Sequence, residues 1–144
     1  MKNLRISFLK AYSKLIAGLI AMLGYAMSCE SMDEYGTPSA KFIVNGNVSS
    51  LETNLPVKNI RVIMQADTAF ADADGNYQVV DKWGFPEDQS YAIRFQDIDF
   101  EANGTFQDLD TTLEFNDPTF INGDGDWYSG ETSKKLDVKL NPKK

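Results

Sequence analysis

The stretch Lys41-Phe-Ile-Val-Asn-Gly-Asn-Val48 sets Phe42, Val44, Gly46 and Val48 on one side of an extended chain and Ile43, Asn45 and Asn47 on the other. A two-residue period of this kind marks a strand with one buried face. The same period returns at Ile60, Val62 and Met64, at Tyr77 and Val79, and at Tyr91, Ile93 and Phe95. It continues at Leu109, Thr111, Leu113 and Phe115 and closes at Leu136, Val138 and Leu140. About seven short strands at this spacing predict an all-β fold, an antiparallel β-sandwich. Asp72-Ala-Asp74-Gly75-Asn76-Tyr77 places Asp-Gly between two strand segments. That is the chemistry of a tight hairpin turn, because Gly adopts positive φ without a Cβ clash.

The rest of the composition narrows function. A chain of 144 residues allows one domain with a tail. It contains no histidine, so neither a Ser-His-Asp or Cys-His triad nor a His-ligated zinc site can be assembled. Its single cysteine, Cys29, excludes an internal disulfide and a Cys-cluster metal site.

Residues 1–28 hold Lys2, Arg5, Lys10 and Lys14 and no acidic residue, followed by the apolar run Leu15–Ala26. A basic flank before a short apolar run reads as an export signal helix. The run is about a dozen residues, below the ~20 that a membrane-spanning helix needs. Residues 29–40 read as a flexible tether, with Glu30, Asp33 and Glu34 followed by Gly36 and Pro38. Residues 41–144 are expected to form the sandwich. Without the four N-terminal cations, 10 basic residues face 21 acidic ones, a formal −11. Such a domain repels nucleic acid, and no nucleic-acid partner is expected.

Ala26-Met27-Ser28-Cys29 resembles the lipobox of bacterial lipoproteins, with Ala26 where Leu is usual. The resemblance implies lipidation of Cys29, cleavage after Ser28 and a membrane-lipid partner through that residue. The acidic residues that follow resemble the surface-export signal of Bacteroidota lipoproteins. Further on, Gly46-Asn-Val48, Pro56-Val57-Lys58-Asn59-Ile60-Arg61-Val62, Asp74-Gly75-Asn76-Tyr77 and Tyr91-Ala-Ile93-Arg94-Phe95 resemble the carboxypeptidase-regulatory-like, transthyretin-like sandwich. Asn59-Ile60 stands where that family commonly has Gly-Val. Together with Tyr35–Ala40 and Gly123–Tyr128, the whole chain resembles the radical-SAM-associated lipoproteins of Bacteroidota. The lipobox resemblance implies the cell envelope, lipid-anchored at the outer membrane on either its periplasmic or its surface face, and the whole-chain resemblance implies association with a radical-SAM pathway protein. It implies no reaction, and this sequence lacks a Cys-x3-Cys-x2-Cys cluster motif.

Candidate chemistry concentrates in the connection 116–134, which holds Asp117, Asp124, Asp126 and Glu131 beside Phe120, Trp127 and Tyr128. Asp124, Asp126 and Glu131 are the oxygen ligands that Ca²⁺ would use, although no EF-hand register fits. Phe120, Trp127 and Tyr128, joined by Trp83 from an earlier loop, have two readings. They close one end of the core, or they form an exposed platform for an envelope glycan or a protein. Thr68 and Thr111 lie in Asp-Thr-x triplets that resemble the Bacteroidota O-glycosylation sequon. The pairs Asp97/Asp99, Asp108/Asp110 and Asp124/Asp126 have the residue types of a two-carboxylate glycosidase. A small sandwich offers little cleft for one, and exposed acids more often serve solubility. The expectation is a lipid-anchored, non-catalytic binding or scaffolding module. The alternative is an accessory or client of a radical-SAM maturation pathway.

Overall fold

The computed structural model describes Tyr12, residues 14–16, Gly18, residues 36–99 and residues 104–143. The chain divides into two compact units, Met1–Gly36 and Thr37–Lys144. In the first, Tyr12, residues 14–16 and Gly18 carry α-helical backbone and are solvent-exposed. Among the described residues no helix is long and apolar enough to cross a membrane. Cys29 lies outside the described residues.

The described residues of the second unit form eight strands: β1 Ser39–Ser50, β2 Ile60–Met64, β3 Asp67–Phe70, β4 Asn76–Gly84, β5 Gln89–Asp97, β6 Leu109–Phe115, β7 Tyr128–Lys135 and β8 Val138–Leu140. They make two mostly antiparallel four-stranded sheets, as the period-two pattern predicts. One has the order β4-β1-β7, with β8 also paired to β1; the other is β3-β2-β5-β6. Side chains from both sheets meet between them. Phe42 of β1 stacks edge-on to Phe115 at 5.1 Å and lies 5.4 Å from Tyr91, while Tyr77 of β4 meets Phe95 edge-on at 5.4 Å. Tilted and edge-to-face contacts of this kind add to the area that the rings bury.

Four details depart from the sequence expectation. Strand β1 begins at Ser39, two residues before the expected domain start at Lys41. Strands β7 and β8 run parallel to β1, not antiparallel, with Val44 opposite Lys134 and Ser49 opposite Lys139. The Asp-Gly turn is formed, with Gly75 at φ 77° and the Asp72 carboxylate accepting from the backbone of Asp74 and Asn76. It joins β3 to β4, which belong to different sheets, so it is an arch between layers and not a hairpin. Finally, the expected connection 116–134 is cut short, because β7 takes up Tyr128–Lys135.

Gly46 explains how the parallel strands fit. A Cβ at Gly46 would collide with the backbone carbonyl of Leu136, in the link between β7 and β8. The bare α-carbon lets that link press onto β1, where Leu136 N donates to Asn45 O at 2.8 Å. Tyr77, opposite Gly46 in register, donates its hydroxyl to the same Leu136 carbonyl at 2.6 Å. Burial pushes the Tyr77 phenol pKa upward, and the nearby Asp137 carboxylate adds to the effect.

Candidate functional site

The first rungs of β1 are irregular on both sides. Toward β4, Ala40 pairs with Gly84 and Phe42 with Asp81, so Lys82 and Trp83 together oppose Lys41. Toward β7, Ser39 pairs with Tyr128 and Lys41 with Glu131, so Ser129 and Gly130 together oppose Ala40. These are two β-bulges at the same level of one strand. A bulge bends its strand and re-aims a side chain.

On the β4 side the bulge turns Trp83 outward, leaving it 82% exposed. Its backbone is held on both flanks. Trp83 N donates to Asp81 Oδ1 at 3.0 Å, and Asp81 Oδ2 accepts from the Tyr91 hydroxyl at 3.0 Å. The next residue, Gly84, is buried where a Cβ would meet the Phe42 ring and the Tyr91 hydroxyl. The Tyr91 phenol pKa is driven up, first by burial and then by Asp81.

Two shallow depressions meet at Lys82 and Trp83. The larger, about 490 Å³, is completed by Ser39, Lys41 and Tyr128. The smaller, about 270 Å³, runs past Asp67 and Asp81 toward the β2–β3 turn. Lys41 pairs with Glu131 at 3.0 Å, and Glu131 also accepts from Asn122 Nδ2 at 3.3 Å. The Lys41 hydrogen bond is the main reason that the Glu131 carboxyl lies below its usual range. Lys82 makes no ion pair among the described residues.

In comparisons with known proteins, no family model and no curated protein matches the chain.

The structure divides the four sequence-selected aromatics. Trp83 lies in strand β4 and not in a loop, Tyr128 lines the larger depression, and Trp127 is 42% exposed. Phe120 instead is partly buried and packs edge-on to Phe42 at 5.5 Å, against the core. The three acidic candidates are also separated in role. Asp124 Oδ1 accepts from the backbone of Asp126 and Tyr128, which is turn chemistry, while Glu131 serves Lys41. Among the described residues no group of three or more Asp, Glu or Cys side chains is placed to hold a metal ion.

The carboxylate pairs are likewise dispersed into local work. Asp97 is buried and accepts from Phe106 N at 2.8 Å, whereas Asp99 accepts from Asn59 Nδ2 at 2.9 Å. Asp110 forms a two-point contact with Arg94, and Asp108 accepts from Gln96. Thr68 is exposed on β3, an edge strand, while Thr111 is half-buried on the inner side of β6.

Sequence reasoning missed Ser39, Lys41 and Lys82. One signal for them exists. In β4 the inward positions run Tyr77, Val79 and then Gly84, which breaks the even spacing and marks a bulge between Asp81 and Gly84.

Proposed function

We propose that the chain is a lipid-anchored cell-envelope protein whose sandwich is a non-catalytic binding module, with the shelf around Trp83 as its contact surface. One observation carries the reading: a bulge, a doubly bonded carboxylate and a buried glycine together hold an indole in solvent. A singly exposed apolar side chain needs no explanation by itself. Here, however, three separate features fix the backbone that turns this one outward. Anchoring rests on the lipobox-like Ala26–Cys29 and the basic, acid-free residues before it.

Two measurements on the native protein test the two parts. Intact mass of the membrane-extracted chain should correspond to a start at Cys29 with added acyl groups; an unlipidated start elsewhere overturns anchoring. Retention of isolated envelope polysaccharide by the full-length protein should fall on Trp83→Ala. Retention that ignores this substitution overturns the contact surface.

A further inference from the structure

Charge is distributed unevenly around Trp83. The larger depression is lined by Lys41 and Lys82 and by no carboxylate. The smaller carries Asp67 and Asp81, whose oxygens are engaged by Val80 N, Trp83 N and the Tyr91 hydroxyl. The sandwich unit, whose 10 basic and 18 acidic residues give a formal −8, therefore keeps Lys82 outside any ion pair among the described residues and beside its most exposed indole, while Lys41 is paired with Glu131. Lys82 is free to pair with an incoming anion, since it has no ion-pair partner among the described residues.

Resting on the binding-module reading above, we infer that the larger depression binds an acidic saccharide. The ring's C–H face stacks on the Trp83 indole, and its carboxylate meets the Lys82 ammonium. Ser39 and Tyr128, which line the same depression, supply hydroxyl groups for the ring hydroxyls. Three features favour this chemistry over a protein partner. The depression is small, it combines one flat apolar wall with hydroxyl groups, and its charge is the reverse of the domain's. An exposed aromatic plane with a nearby cation suits a ligand that is apolar on one face and charged at one edge.

The test uses the full-length chain in detergent and three probes: an oligogalacturonate, its methyl ester, and an oligoglutamate of equal length. Titration calorimetry should show the oligogalacturonate binding, and binding weakening as salt rises. The methyl ester should bind several-fold more weakly. Trp83→Ala should weaken oligogalacturonate binding about tenfold. Lys82→Gln should cost two- to fivefold, as an exposed ion pair does, and should abolish the preference for acid over ester. Circular dichroism checks that both variants stay folded.

Equal binding of acid and ester overturns the inference while leaving the module reading intact. Oligoglutamate binding as tight as oligogalacturonate overturns it in favour of an acidic protein. Absence of oligogalacturonate binding overturns it outright. Loss of Trp83-dependent polysaccharide retention would remove the module reading as well.

Discussion

Tyr91 donates its buried hydroxyl to Asp81 at 3.0 Å, and the other oxygen of that carboxylate accepts the backbone N–H of Trp83. A core residue of one sheet thus fixes the exposed indole of the other. Tyr91→Phe removes the donor and leaves Asp81 with one fewer partner. It should cost about 1–2 kcal/mol of stability in urea unfolding. It should also alter Trp83 emission, read in a Trp127→Phe background, while leaving Trp127 emission unchanged, read in a Trp83→Phe background.

Both buried phenols have pKa values raised in the folded state, Tyr77 and Tyr91 each mainly by burial. In the unfolded chain they ionise near pH ~10. Their contribution is therefore fully present below that pH and is lost as pH rises through and beyond it. Thermal midpoints should fall steeply above about pH 10. The Tyr77→Phe, Tyr91→Phe double variant should show a shallower fall.

The aromatic candidates separate by stability. Phe120 packs on Phe42 against the core, while Trp83 stands in solvent. Phe120→Ala should cost up to ~3 kcal/mol, toward the low end for a core aromatic because Phe120 is only partly buried. Trp83→Ala should stay within about 0.5 kcal/mol of the parent chain. Denaturant midpoints measure both, and comparable losses would contradict the division.

At Gly46, alanine would have to displace the Leu136 carbonyl. Gly46→Ala should destabilise by about 1–3 kcal/mol, the usual cost of overpacking. Hydrogen exchange should report the damage at Leu136 and Val138 first, since the β7–β8 link must move away from β1. Protection losses confined to β6 would contradict this account.

Cys29→Ser tests the anchor chemically. The variant should lose incorporation of labelled palmitate and the acyl mass, because the hydroxyl does not replace the thioether sulfur. Continued acylation would place the modification elsewhere in the chain.

The sequence was legible wherever a strand has one wet and one dry face. β1, β2 and β5 bury alternate residues, and their apolar letters say so. β7, Tyr-Ser-Gly-Glu-Thr-Ser-Lys-Lys, has one fully buried position and that one is Gly130. It pairs through its backbone with β1, an attraction that side-chain periodicity does not record. β3 is only four residues and half-buried at best, so it offers too few periods to count. The Asp-Gly turn was readable from its own chemistry, but which sheets it joins depends on pairing partners far along the chain. The shelf was half legible. Its aromatics stand out by type, whereas its lysines are brought together by the β4 bulge that sets Lys82 and Trp83 opposite Lys41.

Because β7 and β8 run parallel to β1, the start of β1 and the end of β8 lie at opposite ends of the same ladder. A pull between Ser39 and the chain's C-terminal end therefore loads those hydrogen bonds in shear, all together, and does not unzip them one by one. The shelf sits on the first rungs of β1, at Ser39 and Lys41. A load applied between the N-terminal side and a ligand bound at the proposed shelf would enter the ladder at those first rungs. The first rungs of β1 carry the buried Ala40 and Phe42, so a tug at the proposed shelf would meet the resistance of the core where it begins.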